Sequence, residues 1–557
     1  MVSRKGFAMR YVVLAAWVVA AGCLAGGRLW AADKPSVDLS DLTPKRQTGR
    51  VVSNASAMGG QLNPGRERFQ RGLGMHADSE VVYDVSGQDG RFEAWVGPNR
   101  WALDCTVAIR VYTDGQLAFD SGDVTQQPWR PGGCNPWQPA RVCVPLAGAK
   151  ELRLVTQLCR GEKRNAMVDW GDARLVNAAA PRFVRRQPVE RYALSPAPPM
   201  GWNSWNRTGP NIDEKLVLET ADAMVSSGMR DLGYVYVSLD DGWQGDPACD
   251  AAGAPLWHKQ RFPHGMKPLA ESMHQRGLKF GLYSRPAWTR GNEALLANAL
   301  ADWKIDYLKY DFSAPDEIRR MAAAIRQAGR PVVFNSCEWG NEEPWHWSWL
   351  VGCQSFRFTY DQCDHWSSPA DWNAGIGVTV GFDQAEFVGH LIRPGCWMDA
   401  DALLAGLRGK NCHPPDAKGC TDVEYRTQFS FLCLMSSSLI ASCDLRTMDA
   451  ATKSTFTNRE AIAINQDSLG VPAWKARKLA ELEVWQKPLA GGDWAVGLLN
   501  RGNKPATVTA RWIDLGLDGA YHIRDLWSGK ESQESGQELQ RPVAAHELVL
   551  LRLHSLK

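Results

Sequence analysis

The chain has 557 residues, 44% of them hydrophobic and 22% charged, which excludes a disordered polymer and exceeds what one ordinary core can organise; three or four domains are expected. A formal net charge of only +2 leaves no basic surplus for phosphate binding, so nucleic acid is excluded as a partner. Tryptophan is abundant, at 25 residues against 12 Tyr and 16 Phe. A buried indole N–H must find an acceptor, whereas the apolar face of a pyranose stacks well on an indole ring, so this excess points toward carbohydrate.

Residues 1–32 read as an export signal. Arg4, Lys5 and Arg10 form a basic region, residues 11–24 an apolar run, and Ala31-Ala32 a small-residue cleavage site. The run is too short to span a bilayer, and no later stretch reaches transmembrane length. The mature chain is therefore expected in the periplasm or outside the cell, with lipid anchoring at Cys23 as a weaker alternative because Ala20-Ala21 makes a poor lipobox. Of the 14 Cys, Cys23 lies in this leader, and the odd remainder leaves at least one thiol unpaired or shared between chains. Export permits disulfides. No Cys-x-x-Cys pair occurs and Cys412-His413 near Cys420 lacks a matching half, so no structural metal is expected.

Residues 34–176 show short alternating runs (80–85, 106–112, 151–155) between Gly-rich turns, the pattern of a β-sandwich. A linker rich in Ala, Pro and Arg follows at 177–197. From 198 to 477, apolar β-runs (234–239, 279–283, 307–310, 331–334, 355–358, 438–441) alternate with amphipathic stretches such as 214–229 and 315–329. That alternation over such a length predicts a (β/α)8 barrel. Between 478 and 557 the β pattern returns (483–485, 494–499, 548–553), predicting a small C-terminal antiparallel β-sandwich.

Aspartates recur at the ends of these β-runs: Asp240-Asp241, Asp311, Asp361, Asp399, Asp401 and Asp444. One Asp at a strand end is an ordinary turn or cap. A series is different, because every strand of a barrel opens its C-terminal end onto one face, where the carboxylates converge. Clustered like charges destabilise a fold unless they serve chemistry or bind metal. A metal hydrolase would need His among the ligands, and only His365 lies near a strand end. Glycosidic cleavage needs one carboxylate and one carboxylic acid, and the nearby Trp202, Trp205, Trp243, Trp339, Trp366 and Trp397 favour a sugar.

Six motifs carry a specific resemblance: Pro199-Met-Gly-Trp-Asn-Ser-Trp205, Ser238-Leu-Asp-Asp-Gly-Trp243, Tyr307-Leu-Lys-Tyr-Asp311, Cys337-Glu-Trp-Gly340, Arg357-Phe-Thr-Tyr-Asp361 and Ala463-Ile-Asn-Gln-Asp467. In order and spacing they resemble family 27 glycoside hydrolases, the α-galactosidase (melibiase) family, from about residue 198 to the C-terminus. The resemblance implies a retaining, exo-acting enzyme without cofactor, acting on terminal α-D-galactosyl residues of oligo- or polysaccharides. It assigns Asp311 as nucleophile and Asp361 as acid/base. Asp240 and Asp241 match acceptors of the galactose 4- and 6-hydroxyls, and Trp205 the ring-stacking residue. Tyr283, Arg357, Asp401, Cys337 and Trp339 match further contacts. Lys309, two residues before Asp311, is expected to keep the nucleophile ionised. Glu338 matches the residue that binds the 2-hydroxyl and would clash with an N-acetyl group. Residues 72–79, 91–94 and 168–175 resemble a carbohydrate-binding-type β-sandwich module often attached to glycosidases.

This chain also departs from the family. Gly242 and Pro210 stand where a cysteine pair is common, and Phe312 follows Asp311 where another such pair has a member. Cys337 and Cys353 match a third, expected bridge. Met398, Ala400 and Ala402 replace the usual residues around Asp399 and Asp401. The alternatives that remain are β-L-arabinopyranosidase and α-N-acetylgalactosaminidase within the family, and a non-catalytic sugar-binding protein outside enzymes. Homo-oligomerisation is left open.

Overall fold

Eight short strands build a parallel barrel: β1 Met200–Asn203, β2 Tyr236–Leu239, β3 Lys279–Ser284, β4 Tyr307–Asp311, β5 Val333–Cys337, β6 Ser355–Arg357, β7 Trp397–Asp399 and β8 Leu439–Ala441. Their spatial order is β7-β6-β5-β4-β3-β2-β1-β8. The two ends of that order meet where Ser438 N donates to Met398 O (3.0 Å) and Leu403 N to Ile440 O (2.7 Å), which closes the cylinder. This computed structural model describes residues 36–556 except 66, 101, 103–104, 126–138, 181, 184–185, 187, 190–191, 368–374 and 412–417. The expected leader 1–32, with Cys23, lies outside the described residues.

Barrel strands are covered on both faces, so they read as apolar runs and not as alternations; all four residues of β2 are buried. The helices outside alternate instead. Helix Pro315–Ala328 buries Ile318, Met321, Ala322, Ala324 and Ile325 along one stripe. It starts at Pro315, where the missing N–H costs nothing, and stops at Gly329 in the left-handed conformation. The expected helix 214–229 ends earlier, at Ser226, and a 3-10 turn at Arg230–Leu232 leads into β2.

Two sheets form the N-terminal module. One runs Val51–Ser53, Gly72–His76, Met167–Val176, Arg91–Pro98, Ala140–Pro145, with Ser36–Asp38 against Met167–Val176. The motif residues of this module build its core. Trp170 is fully buried, and a Cβ on Gly72 would meet Trp170 O at 1.9 Å, so only glycine fits there. Buried Asp169 accepts from Asn63 N (2.7 Å) and Asn99 Nδ2 (2.5 Å).

The second sheet does not stop at the module. Strand Gln116–Thr125 lies beside Trp474–Leu479, paired at Asp120 and Leu479, and the sheet continues through Leu482–Pro488, Trp494–Asn500, Leu548–Leu556, Ala520–Asp525 and Glu531–Glu534. A separate antiparallel pair, Ala506–Arg511 with Glu538–Val543, completes the C-terminal domain. The N- and C-terminal β regions thus share one eleven-stranded sheet. The linker is pinned as well: Phe183 stacks on Trp474 (5.7 Å) and Ser195 O accepts from Trp397 Nε1 (2.9 Å).

C-terminal strands also join the barrel through a buried charge network. Lys475 Nζ sits 2.8 Å from Glu386 Oε2 and 3.2 Å from Glu483 Oε1, and Arg501 Nε lies 3.1 Å from Glu483 and its Nη1 2.8 Å from Asp383. Glu386 and Asp383 belong to helix Val378–Gly389 of the barrel. Among the described residues, no helix is long and apolar enough to cross a membrane.

Candidate active site

The strand ends bring most of the aspartate series together. Asp240 follows β2, Asp311 ends β4, Asp361 lies four residues past Arg357 at the end of β6, Asp399 ends β7, and Asp401 follows it. Asp311 is only 5% exposed, whereas the Asp361 side chain is 42% exposed. A chain of contacts links them: the Cys337 thiol donates to Asp311, Cys337 Sγ lies 3.8 Å from Arg357 Nη1, and Arg357 Nη2 donates to Asp361 Oδ1 (3.0 Å). Asp444 does not join: Arg446 clamps it (Nε 2.8 Å, Nη2 2.9 Å) and also reaches Glu219 on the outer helix Glu214–Ser226.

Lys309 acts on Asp311 through its charge, but its direct contact is elsewhere. Its ammonium donates to Asp240 Oδ2 at 2.8 Å, an oxygen that also accepts from Asn203 Nδ2 (2.8 Å), while Asp241 N donates to Asp240 Oδ1 (2.9 Å). The direct partner of Lys309 is therefore Asp240. Burial pushes the Asp311 carboxyl up; Lys309 and a hydrogen bond from the Cys337 thiol pull it down, Asp361 and Asp240 push it up again, and the balance is raised. Burial, with Asp311 next, holds the Cys337 thiol well above its usual range, so it stays an S–H donor. Tyr283, beside Lys309 in the β3–β4 register, is likewise kept protonated by burial and then by the neighbouring Asp311 and Asp240.

Arg357 is buried and serves the carboxylates. Its Nη2 donates to Asp361 Oδ1 (3.0 Å) and to Thr359 O (3.2 Å), and its Nη1 lies 3.3 Å from Asp401 Oδ1 and 3.8 Å from Cys337 Sγ. Asp401, buried and near Asp361, has its carboxyl pushed up to about 6 in spite of Arg357. Asp399 anchors the loop by accepting from Asp401 N (3.0 Å) and Asn335 Nδ2 (2.8 Å). Glu338, buried, accepts from the amides of Gly340 (3.2 Å) and Glu342 (2.6 Å), so both its oxygens hold its own loop. Asn335, which holds Asp399, is the positioning residue that neither the motifs nor the aspartate series single out; a polar residue in a barrel strand is the signal that points to it.

Of the six tryptophans near the strand ends, four are packing residues. Trp202, Trp243 and Trp397 are buried and donate their N–H to Cys443 O, Tyr283 O and Ser195 O, each at 2.9 Å. Trp366 stacks on His546 of the C-terminal domain (4.6 Å). Trp205 and Trp339 remain partly exposed at the mouth, the former with its amide held by Asn203 Oδ1 (2.8 Å). Trp339 and Phe312 both adopt left-handed backbone, φ +59° and +50°, which costs a non-glycine residue about 1–2 kcal/mol.

The cysteine expectations also resolve. Cys337 ends β5, while Cys353 precedes Ser355, whose register partner is Asn335. Four residues of strand separate the two levels, roughly 13 Å at ~3.3 Å per residue, beyond the reach of a disulfide; Cys337 is unbridged. Where Gly242 and Pro210 replace a cysteine pair, a Cβ on Gly242 (φ +116°) would meet Pro210 O at 2.5 Å. Backbone contact replaces the bridge. Beside Asp241, a cavity of about 520 Å³ opens against Gln244, Arg285 and Trp288.

Comparison with known proteins agrees with this fold. The family model described as alpha galactosidase A matches residues 197–467, the alpha galactosidase C-terminal beta sandwich domain matches 480–553, and an NPCBM/NEW2 domain matches 35–176. Alpha-galactosidase 2 of Arabidopsis thaliana is 39% identical, over 60% of this chain and 83% of that protein. Alpha-galactosidase A of Cellvibrio japonicus is 38% identical, over 65% of this chain and 92% of that one. Alpha-galactosidase I from Mortierella vinacea superimposes with a TM-score of 0.60 at 31% identity, covering 65% of this chain and 98% of the other.

Proposed function

The chain belongs to the α-galactosidase family of glycoside hydrolases, family 27, and from that premise we propose that it is an exported, retaining α-galactosidase that removes terminal α-D-galactosyl residues. The observation that supports the reading is the chain of contacts from buried Asp311 through the Cys337 thiol and Arg357 to half-exposed Asp361, at strand ends that also carry the Lys309–Asp240 ion pair. Asp311 carboxylate attacks the anomeric carbon as the glycosidic C–O bond breaks, and Asp361 gives its proton to the departing oxygen. Asp361, now a carboxylate, takes a proton from water, which attacks the same carbon and releases Asp311. Two inversions give retention.

The two acids need opposite starting states. Phe312 N donates to Asp311 Oδ1 (2.9 Å) and orients the nucleophile, while the more exposed Asp361 can reload from solvent. Asp240 and Asp241 accept the 4- and 6-hydroxyls, and the axial 4-hydroxyl is what separates galactose from glucose. Lys309 Nζ donates to Asp240 Oδ2 (2.8 Å) and fixes the orientation of that carboxylate for the task. Export rests on the leader-like residues 1–32.

The test is hydrolysis of 4-nitrophenyl α-galactoside, with Asp361→Asn expected to lose about 10²–10⁴-fold and Asp311→Asn more. Azide should rescue Asp311→Gly and give β-galactosyl azide. Faster turnover of the β-L-arabinopyranoside or of the α-N-acetylgalactosaminide would overturn the substrate assignment.

A further inference from the structure

Two residues flank the chemical pair directly. Phe312 follows Asp311, and Tyr360 precedes Asp361. Trp339 joins them: the Phe312 ring meets it edge-on at 4.6 Å and 88°, and Tyr360 lies nearly parallel to it at 6.4 Å and 9°. Tyr360 is fixed by its hydroxyl, which donates to Asn341 Oδ1 (2.8 Å), and the Arg285 guanidinium lies 5.7 Å from the Phe312 ring centre and 4.8 Å from that of Trp288. An aromatic wall therefore runs from the loop of one acid to the loop of the other.

Phe312 is the anomaly in this wall. It is 57% exposed, and its backbone is left-handed at φ +50°. Exposed aromatic surface and an unfavourable backbone are both costs, and the folding core gains nothing from this ring. Strained residues of this kind cluster where they serve binding. Asp361 must stand beside the oxygen of the departing group, so whatever leaves is held next to the Tyr360–Trp339–Phe312 wall.

We propose that Phe312, backed by Trp339, is the stacking platform of a subsite for the leaving group, and that the group it takes is a pyranose ring presenting an apolar face. This deepens the α-galactosidase reading and rests on it: the natural substrate carries galactose on another sugar, and Phe312 sets selectivity for that second ring. Trp339 and Tyr360 hold the platform upright; Phe312 makes the contact.

The experiment compares kcat/KM for α-galactosyl-(1→6)-glucose with that for α-galactosyl fluoride, whose leaving group has no ring to stack. Phe312→Asn suits the left-handed backbone and removes the ring. The ratio, disaccharide over fluoride, should fall about three- to tenfold, and Phe312→Tyr should restore it. A ratio that stays within twofold of wild type, or equal losses on both substrates, overturns the subsite, the second outcome making Phe312 a support for Asp311 only. If wild type leaves α-galactosyl fluoride intact, the functional reading fails first and takes the subsite with it.

Discussion

Replacing Lys309 by Met tests the electrostatic design of the site. The ammonium is largely buried and sits 2.8 Å from Asp240 Oδ2, itself only 2% exposed. Without it, Asp240 keeps two neutral donors, Asn203 Nδ2 and Asp241 N, around a desolvated negative charge. Removing one partner of a buried pair costs about 3–5 kcal/mol. At about 2–4 °C per kcal/mol for a domain of this size, the thermal midpoint should drop by roughly 6–20 °C. Asp311 loses the first of the influences that oppose its burial, so its carboxyl rises further. The nucleophile works only ionised, and a higher pKa leaves less carboxylate at acid pH. The acid limb of kcat/KM on 4-nitrophenyl α-galactoside must therefore move to higher pH. Lys309→Met/Asp240→Asn removes the stranded charge and should recover much of the stability, and because the Asp240 charge also raises Asp311 it should return part of the limb. A folded Lys309→Met enzyme whose acid limb stays in place or moves to lower pH would refute this reasoning.

Glu483→Gln should cost about 3–5 kcal/mol, because Lys475, Lys478 and Arg501 all lie within 3.2 Å of its carboxylate and Trp485 Nε1 donates to it at 2.9 Å; calorimetry checks it, and an unchanged melt would show that the network is redundant. Asp169 is raised to about 6 by burial against the hydrogen bonds of Asn63 and Asn99. A raised folded pKa means the folded state holds the proton longer, so stability from this group is complete below about pH 4 and is lost as pH rises through 6, on the order of 2–3 kcal/mol. Asp169→Asn should flatten that slope in melts between pH 4 and 7, and an identical slope would exclude Asp169 as its source. Gly72→Ala should unfold the N-terminal module locally, since the new Cβ would sit 1.9 Å from Trp170 O in a backbone that disfavours side chains; hydrogen exchange at Met167–Val176 reads it.

Much of the site was legible in the chain itself. A barrel gathers strand ends on one face, so an Asp repeated after apolar runs predicts a cluster before any coordinate exists, and Asp240, Asp311, Asp361, Asp399 and Asp401 lie on that face. Asp444 has the same local pattern, yet Arg446 two residues on takes it away. The tryptophan excess is less legible. An indole stacked on sugar and one donating to a carbonyl 40–241 residues away look alike in sequence, and Trp202 and Trp243 prove to be the second kind.

Sequence alone determined what depends on neighbours along the chain: periods of two and of three to four, the caps and breaks between them, and which residue types stand at strand ends. Only the tertiary structure decided what depends on distance through space. It gave Lys309 to Asp240, divided Arg357 between Asp361 and Asp401, set Cys337 and Cys353 at different levels of the barrel, and merged strands more than 350 residues apart into one sheet at Asp120 and Leu479. Such pairings follow from strand register and closure of the barrel, whose effects no local pattern carries.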